Sequence, residues 1–592
     1  MSNGISVRKV SFTYKNDEDE SVGAKALDGI SLDVEEGAYC AVLGPNGSGK
    51  STLARIIDAL EFPDEGSVVV LGHEVRDDID FYSVRQNCAY VFQNPDNQIV
   101  GTIVEEDVAF GPENLGIPNP ELRQRVDEAL KCVGLYELRE RQTSSLSGGQ
   151  KQKLAIAGAL AMTPKLLILD ESTAMLDPVS RDEFLGIVER LNRERKITVL
   201  TITHDMNEAA RCDKIFVVQN GKVTMSGAPS KIFIDPKPLI RAGLDLPLDV
   251  NLVHEIGKLA GVRPEESDLV DRESRLKAAV RFACMAKELP PEPLIETHDR
   301  GRTILEVSDL SYTYDHGKSY ALEHINMEVY EKEILAIVGK SGCGKTTLIS
   351  HLNGIIRPQS GDIRFIAPEG KILSTTRKKD IAQIRRRVGL VFQYPEYQLF
   401  EETVEKDIAY GLNKIDDPGI NREARVKAAA MISGLSEDVL PRSPFELSGG
   451  QKRRAAMAGV LVMKPQILVL DEPAAGLDPI GRKEMFDTIL ALREAGTTII
   501  LVSHNMDEAA RYADRIFCIK EGRMACCKKA SELFENEGAA ASYGLSLPIL
   551  YDFSSQVKKE LSFLYPNINT TLPYADPKDE AASIVRSVLY AK

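Results

Sequence analysis

The length, composition and charge of this chain exclude several classes of protein. Its 592 residues, of which 43% are hydrophobic and 27% charged, predict about three to five globular folding units and not an extensively disordered protein. The net charge of −15 argues against sequence-independent binding of nucleic acid, since such binding requires a basic surface.

No segment of the sequence is typical of a membrane span or a secretory signal. The longest apolar runs, such as TTIILV at 497–502, are strand-sized and far shorter than the roughly 20 residues of a transmembrane helix. No apolar segment follows a basic start at the N-terminus. The nine cysteines include no CxxC pair, which disfavours a zinc ribbon and fits reduced thiols. We therefore expect a cytoplasmic protein that does not itself cross a bilayer.

The two halves of the chain repeat one another. The phrase VFQNPDNQIV at 91–100 returns as VFQYPEYQLF at 391–400. At nearly the same spacing, LSGGQK begins at 146 and again at 447, and LILDE at 167 returns as LVLDE at 468. A period of about 300 residues is far longer than that of solenoid repeats, so each copy is a domain-sized unit. Two copies in tandem predict a pseudo-dimer within one chain.

Composition also predicts the domain boundaries. The stretch ELPPEPLIETHDRGR at 288–302 contains three prolines and mixed charges, as is typical of an extended spacer. The phrase GLDLP at 243 returns as GLSLP at 544, so each copy carries a similar tail, and we hypothesise that the two tails pair. The predicted units are a first domain at 1–228 with an extension at 229–287, a linker at 288–302, and a second domain at 303–530 with an extension at 531–592.

The predicted elements follow one order in both halves. Alternating apolar residues near 5–14 and 304–314 predict strands. The first half continues with short apolar runs separated by helical stretches: AYCAVLG at 38–44, KLLILD at 165–170 and ITVLTITH at 197–204. Such runs are typical of buried parallel strands in an α/β fold, with functional groups at their C-terminal ends. We therefore predict the α/β class for both halves.

Each half contains a glycine-rich loop of the form G-x-x-x-x-G-K-[ST]. GPNGSGKS at 44–51 and GKSGCGKT at 339–346 both follow an apolar run and precede a helical one, as phosphate-binding loops do. Their backbone amides would surround phosphate oxygens at a helix N-terminus. Lys50 and Lys345 would reach the β- and γ-phosphates of ATP, and Ser51 and Thr346 would hold Mg²⁺. The predicted nucleotide-binding residues of the loops are Gly44, Asn46, Gly47, Gly49, Lys50, Ser51, Thr52, Gly339, Ser341, Gly342, Gly344, Lys345, Thr346 and Thr347.

Adjacent carboxylates end an apolar run in each half. They are Asp170 with Glu171, and Asp471 with Glu472. Beside a phosphate loop, the aspartate can bind the metal through water, and the glutamate can orient or deprotonate an attacking water. An acidic pair could also cap a following helix.

The phrase LSGGQ occurs at 146–150 and at 447–451 and is specific enough to indicate a family. Alone, Ser-Gly-Gly could cap a helix. About 20 residues before each LDE strand, however, it resembles the signature of ABC-type ATPases, which in that family completes the ATP site of the opposite domain. The resemblance covers 5–228 and 304–530. Further residues match the family's Q-loop, D-loop, switch histidine and adenine-stacking aromatic: Gln93 and Gln393, Asp177 and Asp478, His204 and His504, and Tyr14 and Tyr314.

The resemblance implies two ABC-type P-loop ATPase domains, each with a RecA-like core, an antiparallel β subdomain, a helical signature subdomain and a small C-terminal extension. It also implies two composite ATP sites in a head-to-tail sandwich. In the first, Tyr14, Lys50, Ser51, Gln93, Asp170, Glu171 and His204 would face Ser448, Gly449 and Gly450. In the second, Tyr314, Lys345, Thr346, Gln393, Asp471, Glu472 and His504 would face Ser147, Gly148 and Gly149. The implied catalytic residues are Glu171, Glu472, His204, His504, Gln93 and Gln393, and the implied Mg²⁺ ligands are Ser51, Gln93, Asp170, Thr346, Gln393 and Asp471. We expect both sites to hydrolyse ATP.

The segments after Gln93 and Gln393 resemble the two different ATPases of energy-coupling factor (ECF) transporters. This resemblance implies a peripheral motor at the cytoplasmic face of the membrane, driving uptake of vitamins or transition-metal ions. Its partners would be a transmembrane scaffold of the T type and small substrate-binding membrane subunits, with no nucleic acid.

Two alternatives to an ECF motor remain, namely a conventional ABC importer and a translation factor. The fused ATPases of a conventional ABC importer usually have an altered second signature, whereas both signatures here are LSGGQ. A soluble tandem ABC translation factor usually has a basic helical linker. A tandem ABC protein of DNA repair would need zinc-binding cysteine clusters, which the sequence does not contain.

Overall fold

The computed structural model describes residues 3–15, 22–75, 78–174, 176–293, 301–314, 319–393, 395–414, 419, 421–534, 537–568 and 574–592. Residues 294–300 of the predicted linker and Tyr394 of the second repeated phrase lie outside the described residues.

The described residues of the first half form two β-sheets. Their strands are β1 (Asn3–Lys15), β2 (Val22–Glu35), β3 (Tyr39–Leu43), β4 (Glu65–Val70), β5 (His73–Glu74), β6 (Cys88–Val91), β7 (Leu166–Asp170), β8 (Thr198–Thr203), β9 (Lys214–Gln219) and β10 (Lys222–Gly227). One sheet is antiparallel with the order β2-β1-β4-β5, and the other has the order β10-β9-β3-β8-β7-β6. In the larger sheet β6 to β9 and β3 run parallel, and β10 is antiparallel to β9.

Helices surround these sheets and continue into the first extension. Before the first extension they are α1 (Lys50–Ile57), α2 (Asp78–Asn87), α3 (Val104–Asn114), α4 (Glu121–Val133), α5 (Gly148–Ala161), α6 (Pro178–Arg195) and α7 (Met206–Ala209). They are followed by α8 (Pro229–Phe233), α9 (Pro236–Arg241), α10 (Leu248–Ala260) and α11 (Arg272–Met285). Helix α1 packs its buried face between the two sheets, with Leu53 and Ile56 in the same apolar core as Ile5 and Val42.

The second half repeats this arrangement. Its strands are β11 (Thr303–Tyr312), β12 (Leu322–Tyr330), β13 (Ile334–Val338), β14 (Ser360–Ile366), β15 (Ile372–Ser374), β16 (Val388–Val391), β17 (Ile467–Asp471), β18 (Thr498–Val502), β19 (Arg515–Lys520) and β20 (Arg523–Lys528). Its helices are α12 (Lys345–Leu352), α13 (Ile381–Arg387), α14 (Val404–Tyr410), α15 (Arg422–Ile432), α16 (Gly449–Leu461), α17 (Pro479–Glu494), α18 (Met506–Tyr512), α19 (Ala530–Leu533), α20 (Glu537–Ser542), α21 (Ile549–Leu564) and α22 (Pro577–Ala591). The sheet orders, β12-β11-β14-β15 and β16-β17-β18-β13-β19-β20, match those of the first half. The predicted α/β class and the duplication are confirmed.

Parallel pairing brings the predicted functional segments to one edge of each large sheet. In the first half, β3 is followed by the phosphate loop, β6 by Gln93, β7 by Glu171 and β8 by His204. Strands β3 and β8 are buried along their whole length. Because parallel strands end at the same edge, segments far apart in sequence meet there.

The two extensions pack against each other. Helices α10 and α11 of the first contact α21 and α22 of the second. Val250 and Phe282 share one apolar core with Phe553 and Val585. Lys592 Nζ also donates to the carbonyl of Cys284 at 2.7 Å. The hypothesised pairing of the tails is therefore present in the structure.

Over the ranges that the structure describes, no helix combines the length and the apolar character needed to cross a membrane.

Candidate nucleotide sites

Each phosphate loop turns tightly between a buried strand and a helix. Gly49 and Gly344 precede α1 and α12 with φ angles of 99° and 107°, which non-glycine residues rarely adopt. A Cβ atom at Gly49 would lie 2.5 Å from the carbonyl oxygen of Ala26, and one at Gly344 would lie 2.4 Å from that of Ala321. Both loops therefore require glycine for backbone conformation and for close approach.

The two loop lysines point back into their own loops. Lys50 Nζ donates to the carbonyls of Gly44 and Pro45 at 2.8 and 2.9 Å. Lys345 Nζ makes the equivalent bonds to Gly339 and Lys340 at 2.7 and 3.0 Å. Burial lowers the pKa of Lys50, although nearby carboxylates oppose this shift. Each ammonium group is thus held at the centre of a loop whose shape suits phosphate oxygens.

A hydroxyl group and a carboxylate meet beside each lysine. Ser51 Oγ donates to Asp170 Oδ1 at 3.0 Å, and Thr346 Oγ1 donates to Asp471 Oδ2 at 3.5 Å. Burial and the neighbouring Glu472 raise the pKa of Asp471 to about 6. These oxygen donors fit Mg²⁺, which binds a few protein oxygens together with substrate phosphates and water. Bound there, the ion would neutralise charge on the phosphates.

The predicted catalytic glutamates contact the predicted switch histidines. Glu171 Oε1 lies 3.3 Å from His204 Nδ1, and Glu472 Oε2 lies 2.5 Å from His504 Nδ1. Gln93 Nε2 also donates to Glu171 Oε2 at 3.1 Å, whereas in the described part of the chain no hydrogen bond joins Gln393 to Glu472. Burial tends to raise the pKa of Glu171, but the adjacent His204 and the charge of Lys50 hold it below its usual value.

Both glutamates have a left-handed backbone. The φ angle is 47° at Glu171 and 52° at Glu472, a conformation that costs about 1–3 kcal/mol for such residues and clusters at functional sites. Their amides are fixed by hydrogen bonds to the carbonyls of Ile202 and Val502, both at 2.9 Å. The structure therefore aims each carboxylate from a defined position at the sheet edge.

The signature serines cap helices within their own halves. Ser147 and Gln150 form a capping box at α5, and Ser448 and Gln451 form one at α16. Among the residues described, neither serine hydrogen bonds to the opposite phosphate loop. Cβ atoms at Gly148, Gly449 and Gly450 would meet nothing within 4 Å, whereas Gly149 lies against Ser180. The signature serines can therefore cap their helices while the surface beside Gly148, Gly449 and Gly450 stays open.

The predicted D-loop of the second half reaches the first phosphate loop. The backbone amide of Asn46 donates to Asp478 Oδ2 at 2.9 Å, and Asn46 Nδ2 donates to the carbonyl of Gly476 at 3.4 Å. Asp177, the equivalent of Asp478, accepts from the backbone and hydroxyl of Ser180. Within the described ranges, no hydrogen bond joins Asp177 to the second loop. In this conformation the predicted D-loop of the opposite half therefore contacts the first phosphate loop, while no such hydrogen bond is described at the second.

The remaining predicted residues lie at the entrances of the sites. Tyr14 OH is 3.1 Å from Thr52 Oγ1, and Tyr314 OH is 3.2 Å from Thr347 Oγ1. Both rings are exposed, so each presents a face beside a phosphate-loop helix. Such a face can stack on a flat base.

A large cavity lies between the two halves. Its volume is about 1950 Å³, and its lining includes Glu171 and His204 of the first half and Glu472 and His504 of the second. Both glutamate–histidine pairs therefore border one shared space.

The sequence patterns do not indicate the residues that hold these segments together. Gln152 Nε2 of α5 donates to the carbonyls of Phe92 and Ser172, the first at 3.3 Å. Arg453 in α16 donates to the carbonyls of Pro473 and Ala475 at 3.2 and 2.5 Å. Both signature helices are thereby tied to the loops that follow β7 and β17. The hydrogen bond from Tyr90 to Asp170 could not be predicted either, because Tyr90 lies in an apolar strand whose pattern indicates only burial in the core.

Comparison with known proteins identifies the family to which this chain belongs. The sequence model of the family described as ABC transporter matches residues 27–174 and 322–475. An ABC transporter ATP-binding protein of Caldanaerobacter subterraneus is 31% identical over 570 residues, which cover 94% of this chain and 96% of that protein. YkoD of Bacillus subtilis, named for HMP/thiamine import, is 31% identical over 571 residues, covering 94% and 98% of the two chains.

Other similar proteins match one half. The energy-coupling factor transporter ATP-binding protein EcfA1 of Clostridioides difficile is 50% identical over 247 residues, which cover 42% of this chain and 88% of that protein. The solved structure of cbiO1 from Clostridium perfringens, described as part of the ABC transporter complex cbiONQ, is 35% identical and covers 43% of this chain and 99% of its own, with a TM-score of 0.37. Because the family model matches both halves and the relatives span nearly the whole chain, this protein belongs to the ABC transporter family as an ATP-binding protein with two fused ATPase domains, which bind and hydrolyse ATP.

Proposed function

We propose that this chain is the motor subunit of an ECF-type importer, bound peripherally to the cytoplasmic face of the membrane. Its two ATP sites would drive uptake of vitamins or transition-metal ions that other membrane subunits recognise. In each site the glutamate would activate water, the histidine and glutamine would orient it, and the hydroxyl and aspartate would hold Mg²⁺. The observation that carries the proposal is a pair of exposed but dissimilar surfaces beside the two Q-loop glutamines.

These surfaces are formed by the ends of the two repeated phrases and by the helix that follows each phrase. In the first half, Val100 and Phe110 are exposed, and in the second half Tyr397, Phe400 and Tyr410 are exposed. Phe400 and Tyr410 form an edge-to-face pair with ring centroids 4.9 Å apart. Large apolar side chains grouped on a surface are typical of interaction sites. Because the second surface has three exposed aromatic side chains and the first has one beside an aliphatic valine, the pair suits a scaffold with two dissimilar docking segments.

The relatives support the same proposal. EcfA1, whose name assigns it to an energy-coupling factor transporter, is 50% identical over 247 residues, a domain-sized region that covers 42% of this chain. YkoD, which matches nearly the whole chain, is named for import of HMP/thiamine. A fused motor for a vitamin importer agrees with both names. The substrate would then contact the membrane subunits and not this chain.

Purification from native membranes tests the proposal. The tagged full-length chain, isolated in mild detergent, should retain one large integral scaffold protein and small integral subunits. Retention of a permease with a separate binding protein would instead identify a conventional ABC importer, and ribosomal proteins would contradict transport.

A pair of variants links this outcome to the docking surface. Phe400→Asp should abolish retention of the scaffold, because a carboxylate would replace an apolar contact. Phe563→Asp changes an exposed phenylalanine of the second extension and should leave retention unchanged. Equal retention by both variants would exclude the Phe400 surface as the docking site.

A further inference from the structure

Tyr90 of β6 is a buried tyrosine whose hydroxyl group lies inside the first nucleotide site. It is 8% exposed, and its ring packs against Phe92 with centroids 4.7 Å apart. Its hydroxyl donates to Asp170 Oδ2 at 2.7 Å, while Ser51 Oγ donates to Asp170 Oδ1 at 3.0 Å. Both oxygens of this carboxylate are therefore fixed by side chains of the same half.

The second site lacks this arrangement. Leu390 of β16 lies where Tyr90 lies in β6: Tyr90 pairs with Ile168 of β7, and Leu390 pairs with Val469 of β17. A leucine side chain has no donor. Within the described residues, the Asp471 carboxylate accepts one hydrogen bond, from Thr346 at 3.5 Å. The two sites therefore differ in how firmly the aspartate is oriented.

A purely structural role for Tyr90 must be weighed. Buried tyrosine hydroxyls usually find a hydrogen-bond partner, so the contact could serve only to satisfy the phenol. Two features favour more than this. A phenol–carboxylate bond is charge-assisted and stronger than a bond to a neutral acceptor, and the chosen acceptor is the carboxylate assigned to Mg²⁺. Groups that orient metal ligands in this way typically change metal affinity by about 10–100-fold.

We propose that Tyr90 is a positioning residue that holds Asp170 ready for Mg·ATP, so that the first site binds this complex more tightly than the second. The inference rests on the proposed assignment of Asp170 and Asp471 to the metal. An aspartate already fixed at both oxygens loses less conformational freedom when the complex binds, which favours affinity. The first site would then fill first and empty last in each cycle of hydrolysis.

Binding of Mn²⁺ in place of Mg²⁺ tests the proposal without measuring turnover. The full-length chain, saturated with a non-hydrolysable ATP analogue, is titrated with Mn²⁺ and followed by electron paramagnetic resonance. The wild type should show two classes of metal site. Tyr90→Phe removes only the hydroxyl group and should raise the Kd of the tighter class about 10-fold. Lys345→Ala disables the second loop, and in that background Tyr90→Phe should raise the Kd by the same factor.

Controls separate positioning from packing. Tyr82→Phe changes an exposed tyrosine of α2 in the same half and should leave both Kd values unchanged. A lower thermal midpoint of Tyr90→Phe with an unchanged Kd would mean that the tyrosine serves only the core, and would overturn the proposal. An equal rise in the Kd of both classes would overturn it as well. If Tyr90→Phe weakened Mn²⁺ binding only as far as it weakened binding of the ATP analogue, the assignment of Asp170 to the metal would be contradicted. The proposed transport function would be unaffected by that result.

Discussion

Arg272 of α11 forms an ion pair with Asp552 of α21 and so joins the two extensions across 280 residues of sequence. The same guanidinium group lies 5.6 Å from the centroid of the Phe553 ring. The ion pair is 44% and 40% exposed at its two side chains, and exposed pairs contribute only about 0–1 kcal/mol. Phe553 is fully buried in the apolar core of the extensions. Apolar burial, and not this charge pair, therefore accounts for most of the cohesion between the extensions.

The neighbouring positions 552 and 553 separate these two contributions. Phe553→Ala should destabilise the paired extensions by about 3–5 kcal/mol, the usual cost of removing a buried phenylalanine side chain. Hydrogen exchange of the α10 and α22 amides should accelerate accordingly. Asp552→Asn, the matched control, should change exchange little. Equal acceleration in the two variants would show that the ion pair has the larger role.

The two glutamates provide a test of hydrolysis at each site. Glu171→Gln and Glu472→Gln each remove a candidate general base, whose contribution is typically about 10²–10⁴-fold. Each single variant should lose at least half of the steady-state ATPase activity, and the double variant should lose nearly all of it. ATP binding, followed with a fluorescent analogue, should persist in every variant. Wild-type turnover in one single variant would identify its site as silent.

Local sequence patterns predicted the elements and loops of both sites well. Apolar runs such as 165–170 became buried parallel strands, and the spacing of glycine and lysine in 44–51 located a loop with the expected strand before it and helix after it. These features depend on residues close together in the chain. The resemblance added Gln93 and His204, and the structure brings both to Glu171.

Relationships between distant residues could not be predicted in this way. The bond from Asn46 to Asp478 joins residues separated by 432 positions, and nothing in either segment alone indicates it. Tyr90 lies in a strand whose apolar pattern predicts only burial, although a comparison of the two halves shows leucine at position 390. The repeated GLxLP phrase predicted similar tails, but their pairing depends on side chains such as Phe553 and Phe282 that meet only in the folded chain.

The stability of the protein should depend on pH through Asp507. This residue lies in α18, where the first half has Asn207. Burial raises the pKa of Asp507 from 3.8 to about 7, and the backbone amides of Ile549 and Leu550 at the start of α21 oppose this shift only in part. The folded state therefore retains this proton over a range in which the unfolded state has lost it. The contribution to stability is complete below about pH 4 and is lost as the pH rises through about 7.

Asp507→Asn removes this titration and imitates the first half. The variant should gain stability over the wild type as the pH increases from 5 to 8, measured as the difference between their thermal midpoints at each pH. Asp487→Asn, at an exposed position of α17, removes the same charge and should give a difference that hardly changes with pH. A constant difference for Asp507→Asn would contradict the raised pKa.

A single hydroxyl group distinguishes the two predicted D-loops, and it can be exchanged between the halves. Asp478 Oδ1 accepts from the amide of Gly481 at 2.8 Å, which leaves Oδ2 for Asn46. In the first half, the hydroxyl group of Ser180 donates to Asp177 Oδ2 at 2.8 Å. Gly481→Ser should therefore supply a competing donor and weaken the bond across the interface.

The amide of Asn46 reports this bond directly. Because a hydrogen bond to a charged group contributes about 1.5–3 kcal/mol, exchange of this amide should become at least about 10-fold faster in Gly481→Ser. The Cβ atom would lie 3.1 Å from Asp478 Oδ1, so a small local shift is expected, and Gly481→Ala controls for it because alanine adds the carbon without the donor. The reciprocal variant, Ser180→Gly, frees Asp177 and should slow exchange of the Ser341 amide in the second loop. If Gly481→Ala accelerates Asn46 exchange as much as Gly481→Ser, crowding and not hydrogen bonding controls the contact between the halves.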